Sequence, residues 1–164
     1  MTILSQSMNK GHAMHAERLL PSEIAPEGYK TLRAVEVYLA RSGLPKILIE
    51  LVKMRASQIN GCVYCLDVHA KDARKAGETE ARLYLLNAWR EAPQYSPAER
   101  AALAWTEALT NVSTTHAPDT DYSALRAHFS EKEIVDLTYL IGMINFWNRL
   151  AVGMRYVPEA DARG

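Results

Sequence analysis

The sequence predicts an all-α protein of six to seven helices. Apolar residues recur at helical spacing through long segments, with almost none of the strict alternation that marks strands. Two Ser-x-x-Glu capping boxes, Ser96–Glu99 and Ser130–Glu133, each stand just before an apolar run. Pro26, Gly43, Pro45, Gly61, Gly77 and Pro97 fall at the borders of the periodic segments.

Taken in order, residues 1–15 are polar and rich in Met, Ser and Lys, and are expected to be a flexible lead, with Met8 or Met14 as alternative starts. Residues 16–164 are expected to form one helical domain. The first helix is predicted from about Glu27 to Arg41, between Pro26 and Gly43. The second runs from about Pro45, suited to a first turn, to Ile59. Asn60 is a good N-cap and Gly61 a break, so a third helix is expected from Cys62 to Gly77. A fourth covers about Thr79 to Glu91. The fifth opens at the Ser96 box, with Pro97 just inside, and runs to about Asn111. Ser113 to Asp121 reads as polar loop, Tyr122 to His128 as a short helical turn, and the last helix runs from Ser130 to about Arg155. No internal repeat is visible.

A chain of 164 residues suits one domain with a sizeable core. Nineteen basic and nineteen acidic residues cancel, which removes any global electrostatic case for nucleic acid or an anionic membrane and makes self-association easier. The longest apolar segment, Ile134 to Met154, is interrupted by Asp136, Asn145, Asn148 and Arg149, so it reads as a buried helix rather than a membrane span. The first fifteen residues lack the pattern of a secretory signal, which makes a reducing cytoplasm the expected setting.

Both cysteines of the chain fall in one C-x-x-C, Cys62 and Cys65, and His69 follows one helical turn later. Two thiols able to cycle to a disulfide, with a base stacked on one of them, suit thiol redox chemistry. At roughly 100° per residue, Cys62, Cys65, Leu66, His69, Ala73 and Ala76 share one helix face, and Asp67, Lys71, Arg74 and Lys75 the other. Cys62 falls in the first turn, where the helix N-terminus favours a thiolate. His69 can take the proton of Cys65 directly or through a water. A neutral His needs an orienting acceptor, and Glu50, on the side of its helix shared by Ile47, Met54 and Ser57, is the candidate. Two other readings of the cysteines are inert core thiols and a zinc site completed by His69 and a fourth ligand; no second Cys pair supports the zinc site. His12, His15, His116 and His128 have no companion ligands at useful spacing, and Trp89, Trp105 and Trp147 read as core or interface anchors.

The pattern Glu50, Ala56-Ser57, then Asn60-x-Cys62-x-Tyr64-Cys65-x-x-x-His69 resembles the alkylhydroperoxidase D-like branch of the carboxymuconolactone decarboxylase superfamily. The segment Asn145-Phe146-Trp147-Asn148-Arg149 is similar to that branch's N-x-x-N-R. The resemblance implies the alkylhydroperoxidase D-like helical fold, assembly as trimers or hexamers, and an antioxidant thiol peroxidase with no resident metal or cofactor. A thiolate would attack an organic hydroperoxide or hydrogen peroxide, the second Cys would close a disulfide, and a lipoyl protein or thioredoxin-like dithiol would reset the pair. Carried over by position, Glu50 and His69 form a proton relay. Cys65, with His69 stacked on it, becomes peroxidatic and Cys62 resolving, although the helix-terminus argument favours Cys62 as the more acidic thiol. Tyr64, Ser57, Asn60 and Asn148 are secondary candidates. Tyr64 stands where the best-known alkylhydroperoxidase has a His, and a phenol is a poor base near neutral pH. The alternatives are decarboxylase-type lactone chemistry and a non-enzymatic, redox-sensing oligomer.

Overall fold

The segment Lys46–Asn60 carries apolar side chains on nearly every face, and this decides the architecture. Leu48, Ile49, Leu51, Val52, Met54 and Ala56 are all buried along it, as befits a helix with neighbours on several sides. The computed structural model describes residues 17–158, so the expected lead at 1–15 lies outside the described residues. In chain order the helices are α1 (Pro21–Ile24), α2 (Pro26–Leu39), α3 (Lys46–Asn60), α4 (Val63–Lys75), α5 (Glu80–Leu85), α6 (Pro97–Thr110), α7 (Val112–Thr115), α8 (Asp119–Arg126) and α9 (Glu131–Met154). No strand occurs among the described residues. These nine helices exceed the expected six to seven, and two of them, α1 and α7, are single turns of four residues.

Helix α3 packs on α4, α6 and α9 and divides the interior into three apolar groups. One, between α3, α6 and α9, contains Val52, Trp105, Leu137 and Leu140. A second holds Leu51, Leu83, Leu86, Trp89 and Leu103. Leu51, Leu86 and Leu103 are fully enclosed, each contributing about 1.5–3 kcal/mol relative to exposure. The third is small and contains both cysteines: Ala56, Cys62, Cys65, Ile144 and Ala151, flanked by Tyr64, Trp147 and Tyr156. No helix among the described residues is long and apolar enough to cross a membrane.

Both capping boxes form, at Ser96–Glu99 and Ser130–Glu133. Three expectations are corrected. The helix expected over Thr79–Glu91 ends at Leu85 and tightens into a 3-10 turn at Leu86–Ala88. A 3-10 turn brings residues three apart into line, and Leu86 and Trp89 are thereby both buried in the second group. Part of the expected loop Ser113–Asp121 is helical, in α7 and the start of α8. Asn60 is not an N-cap; it is the last residue of α3, and Cys62 caps α4.

Candidate active site

The sharp reversal between α3 and α4 is a sequence-local device. Gly61 adopts φ 65°, a left-handed conformation that glycine enters without a Cβ penalty. The Gly61 N–H donates to the Gln58 carbonyl at 3.4 Å and the Cys62 N–H to the Ser57 carbonyl at 3.0 Å, which is the Schellman closure of a helix C-terminus. The chain enters α4 at once, with Cys62 as N-cap and its Sγ accepting the Cys65 N–H at 3.3 Å. A sulfur in that position feels the unpaired amides and positive end of the helix, which favour a thiolate. Cys62 and Cys65 are joined as a disulfide, with their Cα atoms 5.4 Å apart.

The α3–α4 hairpin brings the expected relay pair together. His69 Nδ1 lies 2.8 Å from Glu50 Oε2, and both side chains are largely buried. A carboxylate at Nδ1 holds the proton there and leaves Nε2 as the basic nitrogen, on the ring one turn after Cys65. Sequence reasoning missed how far this polar chain extends. Lys53 Nζ stands 3.8 Å from Glu50 Oε1 and 3.4 Å from Glu36 Oε2, and Glu36 Oε1 accepts the Trp147 indole N–H at 2.8 Å. The i,i+3 spacing of Glu50 and Lys53 was a local signal for the first link. Glu36 and Trp147 arrive from α2 and α9, and nothing local announces them.

Cys65, not Cys62, borders a cavity of about 400 Å³ that also reaches His69, Tyr64 and Lys53. Its aromatic walls are two edge-to-face pairs, Tyr29 with Trp147 at 5.5 Å and Tyr64 with Tyr156 at 5.3 Å. Burial, then the neighbouring Tyr29 and Tyr64, raise the Tyr156 phenol above its ordinary pKa, so it remains protonated. Tyr64 thus contributes wall to the cavity.

The other secondary candidates bond to one another. Asn60 Nδ2 donates to Asn145 Oδ1 at 3.0 Å and Asn148 Oδ1 at 2.9 Å, and Asn148 Nδ2 donates to Ser57 Oγ at 2.9 Å. Ser57 Oγ donates in turn to the Lys53 carbonyl at 2.8 Å. These groups clasp the end of α3 to α9, below the turn that carries Cys62. Among the described residues, Glu50, His69 and Asp72 are the one set of three donors close enough to share an ion, within 4.8 Å of one another, and the set contains neither sulfur.

A model of the carboxymuconolactone decarboxylase family matches residues 25–108, which include the whole α3–α4 hairpin. The chain belongs to this family. The uncharacterized protein YdfG of Bacillus subtilis (strain 168) is 45% identical over 139 residues, covering 85% of this chain and 95% of its own. A crystal structure from Agrobacterium tumefaciens, of a protein of unknown function proposed for antioxidant defence as an AhpD, superposes with a TM-score of 0.87 at 44% identity, covering 89% of this chain and all of that one. The debrominase Bmp8 shares the fold alone: TM-score 0.73, 23% identity, 82% of this chain and 73% of its own. Within the carboxymuconolactone decarboxylase family the chain therefore lies in the AhpD-like branch, as its motif implied.

Proposed function

We propose that this family member is a thiol-dependent peroxidase that reduces organic hydroperoxides or hydrogen peroxide. The observation that carries the reading is Cys65 at the wall of a cavity shared with His69, whose other ring nitrogen is held by Glu50. The Cys65 thiolate attacks the outer oxygen of ROOH, the O–O bond breaks, and the alcohol ROH leaves with the proton that His69 carries. The product on the protein is the Cys65 sulfenic acid. Cys62 Sγ then attacks Cys65 Sγ, the sulfur–oxygen bond breaks, the oxygen leaves as water with the proton of the Cys62 thiol, and the disulfide closes. A dithiol donor enters by the same cavity and attacks Cys65. Cys62 departs as the thiolate that the α4 N-terminus favours, and the donor's second thiol releases it as a disulfide.

A lipoyl protein or thioredoxin-like partner in the cytoplasm suits that donor role. The exposed apolar side chains Val135, Tyr139 and Phe146 along α9 suit burial between subunits of a homo-oligomer. A fold does not choose a reaction, and the fold shared with a debrominase underlines it; the redox dithiol is what favours peroxide reduction here over lactone chemistry. The test is peroxide consumption by reduced, metal-free protein supplied with cumene hydroperoxide and then dithiothreitol. Repeated turnover through a Cys62–Cys65 disulfide, lost in both Cys65→Ser and Cys62→Ser, is expected. Undiminished turnover in the double serine variant overturns the reading. A single oxidation that dithiothreitol does not convert into turnover identifies a sensor instead.

A further inference from the structure

The cavity at Cys65 is much larger than hydrogen peroxide needs: about 400 Å³, against a water's share of liquid volume of about 30 Å³. Its walls are unevenly equipped. Tyr29, Trp147, Tyr64 and Tyr156 offer flat apolar surface fixed by the two edge-to-face pairs. Most charged groups of the lining are already matched: Lys53 with Glu36, Asp72 with Lys75, and His69 with Glu50. Arg33 lines the same cavity from α2. It is exposed, and no carboxylate among the described residues pairs with it. A planar guanidinium with unused donors, lining the same cavity as four aromatic rings and Cys65, is suited to a carboxylate on the far end of an apolar body.

We propose that the cavity selects carboxylate-bearing amphipathic hydroperoxides, with the apolar body between the aromatic walls, the carboxylate on Arg33 and the peroxide at Cys65. Arg33 is then the specificity-determining residue. The inference rests on the peroxidase reading of Cys65. The chemistry at sulfur is unchanged by it: the O–O bond still breaks onto Cys65, and Arg33 acts only through binding, so its contribution falls on KM.

Two substrates that differ by one carboxylate test it: cumene hydroperoxide and its para-carboxylate. Wild-type protein is expected to favour the carboxylate in kcat/KM by roughly five- to tenfold, the worth of one partly exposed charge-assisted bond. Arg33→Gln should erase that preference by raising KM for the carboxylate far more than for cumene hydroperoxide, and Arg33→Lys should restore part of it. Equal use of both substrates, or a preference that survives Arg33→Gln, overturns the proposal and leaves the peroxidase reading intact. If wild type consumes neither hydroperoxide, the peroxidase reading fails, and binding decides the inference separately. In that case 4-phenylbutyrate should shield reduced Cys65 from iodoacetamide better than 4-phenylbutanol, and lose the advantage in Arg33→Gln; equal shielding overturns the inference.

Discussion

Glu50 Oε2 and His69 Nδ1 meet at 2.8 Å, across nineteen residues of chain and between two helices joined by a single tight reversal. An amide at position 50 keeps the size of the side chain but removes the charge that favours an Nδ1 proton. Glu50→Gln is therefore expected to lower peroxidase kcat/KM by roughly 100-fold with little change in far-ultraviolet circular dichroism. His69→Gln should cost at least as much, and the double variant little more, because the two residues act as a unit. Steady-state kinetics on the three variants settle it; additive losses would contradict the coupling.

Gly61 is expected to resist substitution for a backbone reason alone. A Cβ there meets no neighbour within 4 Å, yet the left-handed φ of 65° is unfavourable for an L side chain. Gly61→Ala should destabilise the fold by about 1–2 kcal/mol. Urea unfolding with an unchanged m-value measures it. Because the same turn sets Cys62 at the head of α4, the reactivity of Cys62 toward iodoacetamide should change in parallel.

The Asn60–Asn148–Ser57 clasp predicts a second stability effect. Asn148 is buried, and its loss would leave Ser57 Oγ without its donor and Asn60 with Asn145 alone. Asn148→Ala is expected to cost about 1–3 kcal/mol, read as a fall in Tm. Ser57→Ala with Asn148→Leu, which removes both polar ends, should cost less than the sum of the two single changes.

Apart from Asn148 on α9, the candidate residues named from sequence all lie on one hairpin. Glu50, Cys62, Cys65 and His69 are related by helical spacing and one short turn, so local geometry was enough to align them. Arg33, Glu36, Tyr29, Trp147 and Tyr156 come from α2, α9 and the segment just past α9, and their convergence depends on tertiary packing that leaves no periodic trace. Asn60 shows a subtler miss. An Asn before Gly-Cys suits an N-cap, but its side chain serves α9 instead, and a cysteine takes the capping role. The capping boxes, by contrast, were readable because both partners lie within one helical turn.

Acid should loosen the α6 region in a defined window. Burial alone would raise the Glu107 pKa, but hydrogen bonds from Trp89, Arg90 and Arg55 outweigh it and hold the carboxyl below the usual glutamate range. A folded pKa below the unfolded one means that the stability is present above the unfolded value, about 4.3, and is lost as pH falls through the lower folded value. Glu107→Gln is expected to lower Tm at neutral pH and to flatten its decline below pH 4.3 or so. Thermal melts across that range provide the check; parallel wild-type and variant curves would contradict it.

The Cys62–Cys65 bridge joins the cap of one helix to its own first turn. Oxidation therefore fastens no two parts of the molecule together, and reduction sets none of them loose. Each catalytic round would alter a few atoms at one helix end while the surrounding scaffold keeps its shape. A catalyst arranged this way has its durability and its chemistry in separate places, and can be oxidised repeatedly without being asked to refold.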